Sequence, residues 1–174
     1  MRSSLPFLAR TQGFLRTHVM PWALFLFLAA ASTYGDRGAL NPDVTQATIL
    51  QTICTPGYAK NVSPAASYTN DVKRMLLERE RIGPAVASNF ELDHIIPLSP
   101  GGHPPKRQNL ALQGVEGKNG AKRKDRIEVK LQCLVCSGRV SLAEAQHQIA
   151  TDWHAAYRRY ALVNCRRRAV EGKT

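Results

Sequence analysis

An aspartate and a histidine stand side by side in a stretch rich in β-forming residues, 90–97. A histidine suits the acceptance of a proton from an attacking water, because its unperturbed pKa lies near neutrality. A carboxylate is a ligand that hard divalent cations such as Mg²⁺ prefer. Asp93 and His94 therefore predict metal-assisted hydrolysis, in which a cation stabilises charge on the departing oxygen. The alternative is a hydrogen-bonded pair that only fixes the end of a strand.

Two strands and a helix are predicted around this pair. Residues 90–97 are expected to form the first strand, and a turn-rich loop with two consecutive glycines follows at residues 99–105. Residues 109–112 are the expected returning strand. A helix is predicted from about Ala121 to a stop at Gly138, with an apolar face and a separate basic face.

Further helices are predicted on both sides of this unit. One spans roughly residues 68–83. Ser141 and Glu144 have the spacing of a capping box, which marks the start of another helix. Its apolar stripe is expected to be core: Leu142, Ala145, Ile149, Trp153, Ala156 and Tyr160. His147 and His154 fall on the opposite face and are predicted to be exposed surface residues.

The chain is strongly basic. It has 24 Lys and Arg against 13 Asp and Glu, a formal charge of +11, and only three of these cations precede Asp36. Such an excess favours polyanions as partners, nucleic acid first and an anionic membrane surface second. Five basic residues are expected to bind phosphates without reading sequence: Arg107, Lys118, Lys122, Arg126 and Lys130. A solvated basic face is an equally good interpretation of the helical stripe alone.

The amino-terminal residues 1–32 are predicted to be a signal peptide. Three arginines precede an apolar run at residues 19–31 that ends in small side chains. The run is shorter than the roughly 20 residues that a membrane-spanning helix needs. An uncleaved anchor is the alternative.

The remaining chain, with 44% apolar residues overall, suffices for one domain. We expect a linker at residues 33–43, the catalytic domain at 44–165 and a basic tail at 166–174. The predicted location is periplasmic or secreted, with no stable membrane association once the signal is removed.

The four cysteines are Cys54, Cys133, Cys136 and Cys165. An even number in an exported protein predicts disulfides before metal, and four cysteines allow three pairings. Cys133 and Cys136 have zinc-knuckle spacing, but a closed zinc site usually needs a second such pair.

The order of these motifs resembles the HNH nucleases, in which an Asp-His pair on the first strand precedes an Asn on the second. Residues 93–97 and 109–110 match that pattern. A bacterial subgroup is more similar still, with motifs seen here as Ser67-Tyr-Thr-Asn70, Glu91-Leu-Asp-His94, Lys124-Asp-Arg-Ile-Glu128 and Leu134-Val-Cys136. The resemblance covers about residues 44–160.

The resemblance implies an α+β fold with a small ββα-metal core, also called a His-Me finger, flanking helices and stabilising disulfides. His94 would be the general base, and Asn109 would hold the loop that orients it. The resemblance also pairs Cys54 with Cys136, which leaves Cys133 and Cys165 for the second disulfide. The implied activity is that of an endonuclease with little sequence specificity.

A divalent cation is the implied cofactor, with Mg²⁺ first and Mn²⁺, Ni²⁺ or Zn²⁺ as alternatives. Asp93 and Asn119 are its expected ligands. At the third position the sequence departs from the family pattern, because an alignment on Ala121 places Gly120 there instead of Asn119. Glu91 or His103 would then complete the ligand set.

The expected partner is nucleic acid, DNA in preference to RNA, and no protein partner follows from the sequence. A non-catalytic nucleic-acid-binding or interaction module on the same scaffold is the alternative. A membrane-surface protein held by the uncleaved amino-terminal segment is a third hypothesis.

Overall fold

The computed structural model describes residues 38–165. The predicted signal peptide, the first part of the predicted linker and the predicted basic tail lie outside the described residues. Within residues 38–165, no helix combines the length and the apolar character needed to cross a membrane.

The described chain forms four α-helices and a two-stranded antiparallel sheet, so the predicted α+β class is confirmed. In chain order the elements are α1 (Tyr58–Val62), α2 (Ala66–Arg79), β1 (Phe90–His94), β2 (Leu110–Gly114), α3 (Ala121–Cys136) and α4 (Leu142–Tyr160). The order strand, strand, helix around the Asp-His pair is the one that the sequence predicted.

Both strands differ slightly from their predicted limits. β1 ends at His94, three residues before the predicted end, and β2 begins at Leu110 because Asn109 closes a 3-10 turn. His94 is paired with Leu110 and Asp93 with Ala111. The strand pairing therefore stops at His94, and the chain beyond it is free to form a loop.

A small apolar cluster joins α2 to the sheet. Val72 and Leu76 of α2 are buried against Leu110, and Leu92 and Leu112 are half-buried beside them. Leu92 is paired with Leu112, and Leu110 is two residues from Leu112, so the three leucines share the face of the sheet that packs against α2.

The larger core lies between α3 and α4. Its buried members include Val44, Ile53, Ile96, Ile127, Leu131, Leu134, Leu142, Ala145, Ile149, Ala156 and Tyr160. The apolar stripe predicted for α4 is thus confirmed, with Trp153 partly buried. The predicted cap is also present, since Ser141 Oγ accepts a hydrogen bond from the Glu144 N–H at 3.1 Å.

Two disulfides close the described chain onto the last turn of α3. Cys54 pairs with Cys136 and Cys133 with Cys165, as predicted, and no cysteine between residues 38 and 165 is free. The paired cysteines are separated by 82 and 32 residues. The loop-entropy model assigns each bridge about 4 kcal/mol of stabilisation.

The loop between the strands depends on Gly102. A Cβ at this position would lie 1.7 Å from the backbone oxygen of Ile96. The Gly102 N–H donates to the Pro97 carbonyl at 2.8 Å, which holds the two segments together. No side chain fits here without moving backbone, because the blocking atom is a carbonyl oxygen.

We expect Gly102→Ala to lower the free energy of unfolding by at least about 2 to 3 kcal/mol, because the clash is with backbone. Urea unfolding followed by circular dichroism measures this. Gly83→Ala is the matched control, since no atom lies within 4 Å of the added Cβ, and it should change stability by less than about 0.5 kcal/mol. Equal stability of the two variants would contradict the close approach of Gly102 to the Ile96 carbonyl.

Candidate active site

The candidate site is a cavity of about 230 Å³ formed by the end of β1, by β2, by α3 and by the middle of α4. Its lining residues are Asp93, His94, Ile95, Ala111, Gln113, Lys124, Ile149, Ala150, Thr151, Asp152, Trp153 and His154. Asp93 and His94, which the sequence predicted to act together, therefore line one cavity. They do so at the point where β1 ends.

Asn109 holds the loop that follows His94. Its side chain is fully buried, and its Oδ1 accepts hydrogen bonds from the Ile96 N–H at 2.9 Å and the Ala39 N–H at 3.2 Å. Its Nδ2 donates to the carbonyls of Ile96 at 2.9 Å and His103 at 3.1 Å. Asn109 is not among the residues that line the cavity. It therefore acts on the site through the loop, the role that the family resemblance implied.

The ring of His94 is oriented by one backbone carbonyl. Its Nε2 lies 2.9 Å from the Pro104 oxygen, and since a carbonyl only accepts, Nε2 carries the proton. In the neutral ring Nδ1 then holds the free electron pair. Burial lowers the pKa of His94 and outweighs the opposing effects of the Pro104 carbonyl and Asp93. The ring is therefore neutral and basic at physiological pH.

Asp93 is bound to a lysine that the sequence analysis did not select. Its Oδ2 lies 2.7 Å from the Nζ of Lys124, and its Oδ1 accepts from the His94 N–H at 2.7 Å. The Lys124 Nζ also donates to the His94 carbonyl at 2.5 Å. The Lys124 side chain is 3% exposed, so this ion pair is buried.

A signal for Lys124 was present in the sequence. Lys124 precedes Ile127 by three residues and Leu131 by seven, so it falls on the apolar face of α3 and not on its basic face. A lysine on an apolar stripe is rarely buried unless it is paired. The position of Lys124 on the apolar face of α3 predicts a buried lysine that needs an acidic partner, and Asp93 is a candidate for that partner.

Glu128 lies next to Lys124 in the same buried group. Its Oε1 is 3.6 Å from Lys124 Nζ, too long for a hydrogen bond, and has no other hydrogen-bond partner. Burial raises the pKa of Glu128 to about 8, and Asp93 and Asp125 add to the effect of burial, while Lys124 opposes it. Glu128 is therefore protonated near neutral pH, and the charge of Lys124 is balanced by Asp93.

The prediction that His154 is an exposed surface residue holds only in part, since its side chain is 36% exposed and α4 is interrupted just before it. Asp152 has non-helical angles, φ −154° and ψ 87°, and its Oδ1 accepts from the N–H groups of His154 and Ala155 at 3.0 Å each. These bonds cap the helical segment that follows Asp152. His154, in the first turn of that segment, lines the cavity, whereas His147 is exposed as predicted.

Asn119, an expected metal ligand, is bound to His154. Its Oδ1 lies 2.9 Å from the Nε2 of that ring, and Asn119 is not among the residues that line the cavity. Its amide oxygen is therefore already used by an N–H donor. The loop before α3 and the interrupted part of α4 are connected by this contact.

Glu91 and His103, the alternative ligands, also lie outside the cavity lining. Burial raises the pKa of Glu91, and the charges of Asp93 and Asp125 raise it further. His103 belongs to the loop, where its N–H donates to the Ala39 carbonyl at 2.8 Å. Neither residue completes a ligand set with Asp93.

The side chains between residues 38 and 165 do not fit a divalent cation as they are arranged. Among them no group of three or more His, Cys, Asp and Glu residues is placed to hold a metal ion. The one expected carboxylate, Asp93, is already bound to the Lys124 ammonium. A dication about 4 Å from that ammonium would meet a repulsion on the order of 8 kcal/mol at an effective dielectric constant of about 20. The expected Mg²⁺ stays a prediction that these contacts do not support.

A basic groove lies beside the cavity and shares α3 and α4 with it. Lys118, Lys122 and Arg126, all predicted to bind phosphate, line it together with Arg123 and Tyr157. The guanidinium of Arg123 stacks over the Tyr157 ring, 4.2 Å from its centroid. Lys122 is exposed and paired with Glu116. Arg123 was not selected from the sequence, although it lies between two residues that were.

The two other predicted phosphate-binding residues lie elsewhere. Arg107 packs beside α2, with its Nη1 3.2 Å from the Met75 sulfur. Lys130 is partly buried and donates to the Val163 carbonyl at 2.6 Å. Lys130 therefore fixes the chain after α4. Of the three basic residues predicted on one face of α3, Lys122, Arg126 and Lys130, only the first two line the groove.

No protein-family model matches the chain, no curated protein is significantly similar to it, and no solved structure is significantly similar to its fold.

Glu128 predicts a pH dependence of stability. Its pKa is about 8 in the folded chain against 4.5 ordinarily, so the folded state binds more protons and stability falls as pH rises from about 4.5 to 8. This difference corresponds to a loss of up to about 5 kcal/mol. Glu128→Gln, which is neutral at every pH, should remove most of that loss.

Urea unfolding at pH 5, 7 and 9 measures this effect. Glu78→Gln, at an exposed position on α2, is the control and should keep the pH dependence of the wild type. Parallel stability curves for Glu128→Gln and the wild type would show that Glu128 is ionised in the folded chain at neutral pH.

Proposed function

We propose that this chain is an exported endonuclease that hydrolyses phosphodiester bonds of nucleic acid, DNA in preference to RNA, with little sequence specificity. The observation that carries the proposal is the state of His94. Its Nε2 is bound to the Pro104 carbonyl, its pKa is lowered, and its ring lines a cavity next to a basic groove. The ββα-metal core of the HNH nucleases is the proposed ancestry of this arrangement.

The proposed reaction is a single displacement at phosphorus. A water oxygen attacks the phosphorus atom while Nδ1 of His94 accepts one of its protons. The bond from phosphorus to the leaving oxygen breaks, and the leaving oxygen takes a proton from solvent. His94 then returns its proton to solvent, so the net reaction consumes one water.

The basic groove would position the substrate. Lys118, Arg123 and Arg126 present positive charge along one side of α3 and its preceding loop. Contacts of this kind bind the phosphate backbone and carry no base information. Low sequence specificity follows, because these residues would contact phosphates and not bases.

The divalent cation is a separate part of the proposal. Mg²⁺, with Mn²⁺, Ni²⁺ and Zn²⁺ as alternatives, was expected on the resemblance, and Asp93 would be its first ligand. The proton transfer to His94 does not depend on which cation balances the phosphate charge.

A non-catalytic nucleic-acid-binding module is the second candidate. It is favoured by the ion pair at Asp93, since a carboxylate neutralised by Lys124 has lost part of its capacity to bind a cation. Incubation of purified chain with plasmid, linear DNA and RNA separates the two candidates. The assay is run with Mg²⁺, with Mn²⁺ and with EDTA at concentrations up to 5 mM. Nucleic-acid binding without strand breaks in all of these buffers would favour the module.

We expect His94→Ala to reduce the cleavage rate by about 10² to 10⁴, the usual effect of losing a positioned base. DNA affinity should change little, because the groove residues are intact, and circular dichroism should show an unchanged fold. His147→Ala, at an exposed position on α4, is the control and should cleave like the wild type. Retention of more than about a tenth of the activity by His94→Ala would make this histidine structural.

We expect Arg126→Ala to weaken DNA binding about equally for all sequences. The slope of log affinity against log salt concentration should fall by about 0.9, because one phosphate contact is lost. Lys122→Ala should have a smaller effect, since Lys122 is paired with Glu116. Binding titrations between 50 and 200 mM salt test this, with Arg74→Ala on α2 as control. An unchanged slope would assign Arg126 to a solvated surface.

A further inference from the structure

The structure contains a cation that is already placed at the candidate site. Lys124 lies on the buried face of α3, its side chain is 3% exposed, and it is one of the residues that line the cavity. Removing an ammonium from water is unfavourable unless specific partners replace the water. A buried charge at a cavity with a histidine base is therefore a candidate for function.

The hydrogen bonds of Lys124 fix its position but do not use all its donors. An ammonium has three N–H groups. Two donate to the Asp93 carboxylate at 2.7 Å and to the His94 carbonyl at 2.5 Å. The next acceptor, Glu128, is 3.6 Å away, beyond hydrogen-bond distance. Lys124, a lining residue of the cavity, thus has one N–H beyond these two hydrogen bonds.

We infer that the Lys124 ammonium is the fixed cation of this site and binds a non-bridging oxygen of the scissile phosphate, so that cleavage needs no divalent metal. This inference rests on the proposed nuclease function. Lys124 keeps its protons throughout, and its contribution is to stabilise negative charge that develops on the phosphate. The Asp93 carboxylate and the His94 carbonyl would hold the ammonium in place before substrate arrives.

The same contacts explain why a metal is not needed at Asp93. A dication there would have to displace the ammonium or share the carboxylate with it. The ammonium is bound to the Asp93 carboxylate and to the His94 carbonyl, both at the end of β1, and the Lys124 side chain is 3% exposed. Displacement would therefore leave a buried charge without a partner.

Metal binding tests the inference without any activity measurement. Isothermal titration of the purified wild-type chain with Mn²⁺ should show no stoichiometric site tighter than about 1 mM, a range in which metal sites of ordinary affinity are readily detected. Asp93→Asn should behave in the same way. A one-to-one Mn²⁺ site in the wild type that is lost in Asp93→Asn would overturn the inference.

Cleavage assays give the second test. Wild-type cleavage of plasmid should be the same, within about twofold, in EDTA and in Mg²⁺, and Lys124→Met should lower the rate in EDTA by about 10² or more. Because Lys124→Met leaves Asp93 unpaired, the double variant Lys124→Met/Asp93→Asn removes both charges and is measured beside it, with the fold checked by circular dichroism. It should be as slow as Lys124→Met. Lys60→Met, an exposed lysine on α1, is the matched control and should cleave like the wild type.

The outcomes separate this inference from the function on which it rests. Wild-type cleavage that disappears in EDTA and returns with Mg²⁺ would overturn the role of Lys124 and leave the nuclease proposal standing. Full activity of the folded Lys124→Met variant in EDTA would also overturn the role of Lys124 and leave the nuclease proposal standing. Absence of cleavage in every buffer would overturn both proposals.

Discussion

The buried ion pair between Lys124 and Asp93 is the contact on which the candidate site depends. It joins the last residues of β1 to the first turn of α3, with Nζ and Oδ2 2.7 Å apart. Breaking such a pair leaves a buried charge uncompensated, which typically destabilises a protein by about 3 to 5 kcal/mol. The strand end and the helix therefore cannot separate easily. Asp93 also accepts from the His94 N–H, and Glu128 lies one helical turn after Lys124, so both residues are close to this contact.

A second constraint is purely structural and lies behind the histidine. Asn109 satisfies backbone groups of the loop that no strand partner reaches, and Gly102 allows that loop to pass against the Ile96 carbonyl. Buried backbone groups must find partners within the protein. The Asn109 side chain and Gly102 thus allow a loop to follow β1 directly. This loop brings the Pro104 carbonyl to the ring of His94.

The third constraint concerns the remaining wall of the cavity. α4 packs its apolar stripe against α3, and its backbone is interrupted at Asp152, within the stretch 149–154 that lines the cavity. Asp152 compensates by capping the N–H groups that the interruption leaves open. The disulfides hold the other end of α3, where Cys133 and Cys136 anchor the chain before α1 and after α4. The cavity is thus formed by the two strands and by a helix pair with one local irregularity.

Local patterns in the sequence determined the class of the fold, the order of strand, strand and helix, the capped start of α4 and its apolar stripe, and they selected Asp93 and His94 as candidate site residues. These features depend on spacing within one element or on turn chemistry, which neighbouring residues decide. The resemblance added the disulfide pairing, which the structure confirms. Whether the chain is a nuclease stays a proposal.

Only the tertiary structure decided which charges meet. Lys124 could be recognised as buried from its place on the apolar face of α3, but its partner lies 31 residues earlier in the chain. Lys122 and Lys130 are similar in the sequence, yet one is exposed and the other binds a backbone carbonyl. The place of His154 at the cavity was not predicted, because the non-helical backbone at Asp152, two residues before it, has no signal in the sequence. The energy of a charge depends on its distance to other charges and to water, and only the packed elements set these distances.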